Sequence, residues 1–132
     1  MKVVALLDSM WGARTGTAPR AFRINSYNFS GRRLYRLVGL GADLWVTNSC
    51  KELQTHATRH GTPDPAWVAE NLRWLEPCAL LLVCGRVAQQ AYRQSGYAAK
   101  SQVLEIAHPA ARTWTKETMD RIAEEIRSVL GG

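Results

Sequence analysis

Cysteine is scarce in this chain. There are three, Cys50, Cys78 and Cys84, an odd number with no CxxC pair. That argues against a disulfide framework and leaves too few thiolates for a four-cysteine cluster. Free thiols in a cytoplasmic protein are the expectation. Long apolar runs are lacking too. The opening "MKVVALLDSM" has five apolar residues between Lys2 and Asp8, too few for a signal-peptide core or a bilayer span. No later stretch reaches that length. The glycine pattern of a dinucleotide or P-loop site is missing, since "GRVAQQA" (85–91) offers one glycine only. His56 and His60, in "HATRH", have the i, i+4 spacing that binds zinc on a helix. They lack an HExxH glutamate and an evident third ligand, so surface histidines are expected, and no metal or cofactor. Internal repeats and low-complexity tracts are absent.

What is present describes an ordinary globular chain. Its 132 residues suit a single domain spanning 1–132. Apolar residues make up 46% and charged residues 21%, which is not a disordered composition. The net charge is +6 and the isoelectric point is near 9.7. A basic domain of this size suits a polyanion such as nucleic acid; a basic protein with no such partner is the plainer reading.

Four apolar runs predict strands: "VVALL" (3–7), "LWV" (44–46), "ALLLVC" (79–84) and "VLEIA" (103–107). The first and third are apolar at successive positions, as in parallel strands buried on both faces. Helical periods fall between and after them. "GRRLYRLVGLG" (31–41) puts Leu34, Leu37 and Val38 on one face and ends at glycine. "PDPAWVAENLRWLEP" (63–77) starts with a capping Asp64 and Pro65 in its first turn. "GRVAQQAYRQSG" (85–96) and "TKETMDRIAEEIRSVLGG" (115–132) complete the set, with Thr115 as the cap of the last. The alternation predicts a three-layer αβα sandwich with a four-stranded, mainly parallel sheet. Residues 9–30 fit no period and read as a long loop, which in so small a domain is usually functional or mobile.

In open parallel sheets, ligands bind beyond the carboxyl ends of the strands. Those ends carry Asp8-Ser9-Met10-Trp11-Gly12, Thr47-Asn48-Ser49, Cys84-Gly85-Arg86 and Ala107-His108-Pro109. The long loop adds Tyr27, Asn28 and Phe29 nearby. An acid, an amide, a glycine turn and an imidazole therefore converge on one rim. Each has a plainer reading. His108 can be a loop residue bonded to backbone, Asp8 a turn cap, and Phe29 a packing anchor. Among the five tryptophans, Trp67 and Trp74 share a helix and read as structural. Trp11 and Trp114 lie in loops at the site end, where they either pack or stack on a ligand.

Four stretches, in order, resemble the uracil-DNA glycosylase superfamily, especially its small bacterial and archaeal iron–sulfur type. "YNFSGRRLYRL" is similar to that family's Phe-x-Gly loop and helix, and "LWVTNSCKE" to its strand ending in Thr-Asn. "TPDPAWVAENLRWLEPCALLLVCGRVAQQA" is similar to its proline-capped helix, buried strand and glycine turn; "EIAHPAARTW" is similar to its closing His-Pro loop. The resemblance implies roles. Phe29 would stack on a base turned out of the helix, with Asn48 reading its edge and Ser9 beside it. His108 would stabilise the departing base, and the His-Pro loop would keep that base extruded. Arg32, Arg86 and Arg112 would meet phosphates. The chain departs from the family at "DSMWG". Asp8 stands where a glycine is usual, and Ser9 and Met10 occupy the usual catalytic places; Asp8 is then the candidate carboxylate. The iron–sulfur cysteines are missing.

The expected function is hydrolysis of the N-glycosidic bond of uracil or another altered base in DNA, by a cytoplasmic monomer with no membrane attachment. The alternative is a member that binds DNA, single-stranded or carrying altered bases, or a nucleotide, without excision. A different reaction on a modified base or free nucleotide also fits, as does an unrelated doubly wound α/β protein.

Overall fold

A computed structural model describes residues 1–10, 16–55, 61–112 and 114–131. Strand β1 (Lys2–Leu7) is followed by the two-residue β2 (Phe22–Arg23) and helix α1 (Phe29–Val38). There follow β3 (Asp43–Asn48), α2 (Pro65–Leu75), β4 (Leu80–Cys84), α3 (Arg86–Ser95), β5 (Gln102–Ile106) and α4 (Lys116–Gly131). The sheet order is β2-β3-β1-β4-β5. The four longer strands are parallel, with Leu7 opposite Asn48 and Cys84 opposite Ile106.

Two apolar layers hold helices to the sheet. Val3, Ala5 and Leu7 pack with Leu34 and Leu37 of α1 and Ile122 and Ile126 of α4. Val4 and Leu6, pointing the other way, pack with Val68, Leu72 and Leu75 of α2 and Ala88 and Ala91 of α3. Successive side chains of a strand alternate between faces. A strand covered on both sides must therefore be apolar throughout, which accounts for "VVALL" and "LLLVC".

Local chemistry sets the helix ends. Asn28 caps α1, its side-chain oxygen accepting from Ser30 N and Gly31 N, so the helix starts two residues before the glycine. It stops at Val38 because Gly39 turns to φ +94°. Asp64 accepts from Trp67 N at 3.1 Å, with Pro65 in the first turn. Thr115 Oγ1 accepts from Thr118 N at 3.1 Å ahead of α4.

Among the described residues the sheet differs from expectation in having five strands and being mixed. The added strand, β2, lies antiparallel to β3, with Phe22 opposite Val46 and Arg23 opposite Trp45. Two residues carry no period. Their pairing comes from the open edge of β3, to which Ile24 N donates through Leu44 O at 3.4 Å. The 9–30 segment is thus partly a sheet edge rather than loop throughout.

At the opposite end of the sheet from the candidate rim, Glu76 fastens α2 to the turn before β5. Its carboxylate accepts from Ser101 N at 2.8 Å, from Lys100 N at 3.1 Å and from the hydroxyls of Tyr97 and Ser101. Burial pushes this carboxyl up, but the hydrogen bonds together outweigh it and hold it below the ordinary glutamate value. The resulting stability is complete above the unfolded-state value of about 4.3 and is lost as pH falls through the lower folded-state value. Thermal melts should show Glu76→Gln with a lower midpoint at neutral pH and a flatter acid limb. Parallel pH profiles for the two proteins would remove this role.

Candidate functional site

The chain leaves β1 towards β3 on one side, then returns to β4 on the other side of β1 and continues to β5. Crossovers that diverge in this way open a crevice beyond the carboxyl ends of β1 and β4. A cleft of about 360 Å³ lies there, lined by Asp8, Ser9, Gly85, Arg86, His108 and Ala110 among others. Gly85 is needed at its floor. Its φ is +91°, and a Cβ there would come within 3.0 Å of His108 Cβ. The glycine supplies no side-chain cap to α3. The first-turn N–H groups of that helix therefore carry their positive end towards the cleft.

His108 is held by several independent bonds. Ala110 N donates to its Nδ1 at 3.0 Å. In the neutral ring this leaves the proton on Nε2, which makes that nitrogen a donor. The His108 carbonyl accepts from Trp114 Nε1 at 2.6 Å and from Ala111 N at 2.8 Å. Arg33 ties the loop to α1, donating to Pro109 O at 2.6 Å and Ala111 O at 2.9 Å. The same guanidinium stacks 4.4 Å from the Phe29 ring centre and 5.8 Å from that of Trp114.

Asp8 is fixed through its backbone. Its carbonyl accepts from Ser49 N at 3.0 Å and Cys50 N at 3.1 Å. The Cys50 thiol lies 4.0 Å from Asp8 Oδ1. Burial, with a smaller push from the Asp8 charge, raises that thiol to about 11. Burial raises Cys84 and Cys78 as well. All three remain thiols near neutral pH, so none is poised as a nucleophile.

Of the residues singled out in the sequence, Asp8, Ser9, Arg86 and His108 meet in the cleft. Phe29 and Asn48 lie at the same end of the sheet but do not line it. Asn48, 3% exposed, ends β3 next to Leu7 and falls on the α1 side with Leu44 and Val46. Phe29, 54% exposed, opens α1 and meets the His108 loop through Arg33. That exposure sets aside the packing-anchor reading for Phe29. Arg32 and Arg112 are exposed, the first on α1 and the second in the His108 loop. Trp114 is buried in the α1–α4 core, so it holds the loop rather than stacking on a ligand. Trp11, His56 and His60 lie outside the described residues.

Sequence reasoning passed over Arg33. The usable signal was its spacing of four from Phe29, which puts both on one helix face. Among the described residues, no three His, Cys, Asp or Glu side chains gather as a metal site. Nor is any described helix long and apolar enough to cross a membrane. The sequence matches no family model and no curated protein.

Proposed function

We propose that this protein is a DNA glycosylase of the uracil-DNA glycosylase kind, acting on uracil or another altered base in repair or base modification. The observation that carries the reading is the His108 imidazole. Its Nδ1 is occupied by Ala110 N–H, and it shares a cleft with Asp8 at the switch point of the sheet.

The chemistry follows from charge. Breaking the N-glycosidic bond sends its electron pair out with the base and leaves the sugar cationic. A neutral histidine donating from Nε2 to a base carbonyl oxygen stabilises that anion as it forms. The Asp8 carboxylate offsets the sugar's charge and takes the proton of the water that bonds to C1′. Phe29, held beside the His108 loop by Arg33, stacks on the extruded base, and Asn48, 3% exposed and outside the cleft, reads its edge once the residues that cover it on the α1 side part. Arg32, Arg86 and Arg112 contact phosphates. In this reading the protein works as a cytoplasmic monomer without metal or cofactor.

A second reading, binding without excision, has two observations in its favour. Ser9 and Met10 stand at the family's water-handling positions. Phe29 and Asn48 do not line the cleft that holds His108.

One assay separates the two. Single- and double-stranded oligonucleotides carrying uracil or other altered bases are incubated with the protein and then with alkali. Excision yields strand breaks at the altered base and free base by mass spectrometry. Tight binding with no released base, even at stoichiometric protein, would replace the first reading by the second.

A further inference from the structure

The positive charge of this chain is unevenly placed. Between Asp8 and Asp43 there are six arginines and no acidic residue, while the rest of the chain carries eleven charges of each sign. The whole net charge of +6 therefore resides in residues 9–42. Arg20 and Arg23 are engaged by Glu70 and Asp43. Among the described residues, no salt bridge engages Arg32 or Arg36, which are exposed four residues apart on α1.

The same segment exposes aromatic rings. Tyr27 is 88% exposed and Phe29 is 54% exposed. Two asparagines set the turn that presents them. Asn25 Oδ1 accepts from Tyr27 N at 2.9 Å and Asn28 N at 3.1 Å; Asn28 Oδ1 accepts from Ser30 N at 3.0 Å and Gly31 N at 3.2 Å. Arg33 backs the Phe29 ring at 4.4 Å.

From this placement we infer that Tyr27, Phe29, Arg32 and Arg36 form a lane for single-stranded DNA leading to the His108 cleft. The inference rests on the reading of the cleft as a base site and names its substrate class. Exposed rings stack only on bases that are unpaired, and arginines beside them take the phosphates. A duplex would leave Tyr27 idle, because its bases are already stacked on one another. Tyr27 has no other partner role that explains so exposed a ring held by so defined a turn.

Fluorescence anisotropy with a labelled homothymidine 16-mer, free of altered bases, tests the lane against the same strand paired in a duplex. The wild type should bind the single strand more tightly. Tyr27→Ala should weaken single-strand binding about tenfold and leave duplex binding unchanged. Tyr27→Phe should retain affinity, since the ring is what acts. Arg36→Ala should weaken both forms and reduce the single-strand salt slope by about 0.7. Unchanged thermal melts check that the variants fold. Duplex binding as tight as single-strand binding, or an unaffected Tyr27→Ala, would overturn the proposal. Because the probe holds no altered base, the readout is separate from excision. Ring-dependent binding without base release keeps the lane and removes the enzyme reading; excision with an indifferent Tyr27→Ala does the reverse.

Discussion

His108→Ala is expected to lower base excision about 10²–10³-fold, the usual effect of deleting one donor aimed at a developing oxyanion. Its fold should survive. The His108 side chain belongs to neither core, and the bonds from Trp114 Nε1 and Ala111 N go to the backbone carbonyl of residue 108, which alanine keeps. What disappears is the ring that accepts from Ala110 N. A donor acting on the departing base acts in the transition state, so kcat should fall while KM stays near its wild-type value. Single-turnover excision on an oligonucleotide with one altered base makes the measurement. Activity within a few-fold of wild type would mean that the base departs without this imidazole. A rise in KM with kcat unchanged would recast His108 as a binding group only.

The layers of the fold were legible because burial on both faces leaves a mark in sequence. Strands β1 and β4 contain continuous apolar runs, and the helices between and after the strands announce themselves by caps such as Asp64 and Thr115. The cleft was legible in part. Placing ligand chemistry at strand ends follows from the connectivity, and Asp8, Ser9, Arg86 and His108 do meet there. Four things were hidden for physical reasons. Strand β2 is two residues long, and its pairing depends on an edge elsewhere in the chain. The exposure of Phe29 and Tyr27 is decided by a turn whose hydrogen bonds no periodicity reports. Among the three arginines of α1, only helix phase and the approach of a loop 76 residues away single out Arg33. The contact of Cys50 with Asp8 is likewise set by tertiary packing across 42 residues.

Gly31→Ala tests how tightly the site is built. Inside a helix this change ordinarily stabilises by about 0.5–1 kcal/mol, because glycine has more backbone freedom to lose. Here the sign should reverse. An added Cβ would lie 2.1 Å from Asn25 O and 3.1 Å from Ile24 Cγ1. The first of these is backbone, so no side chain can swing aside. Tyr35 also holds that strand close, its hydroxyl donating to Ile24 O at 2.9 Å. Relief requires α1 to move away from residues 24–25. That strains the Asn25 turn under Tyr27 and shifts Phe29 and Arg33 with the helix. Overpacking of this kind costs about 1–3 kcal/mol, or a fall in melting temperature of roughly 4–11 °C for a chain of this length. Gly131→Ala, at the end of α4, meets nothing within 4 Å and serves as the control. The expected pairing is a destabilised Gly31 variant, weakened in single-strand binding below its melting point, beside an unperturbed Gly131 variant. A Gly31→Ala protein as stable as wild type would show that α1 and the Asn25 turn do not touch as described. The platform formed by Phe29, Arg33 and the His108 loop would then lose its foundation.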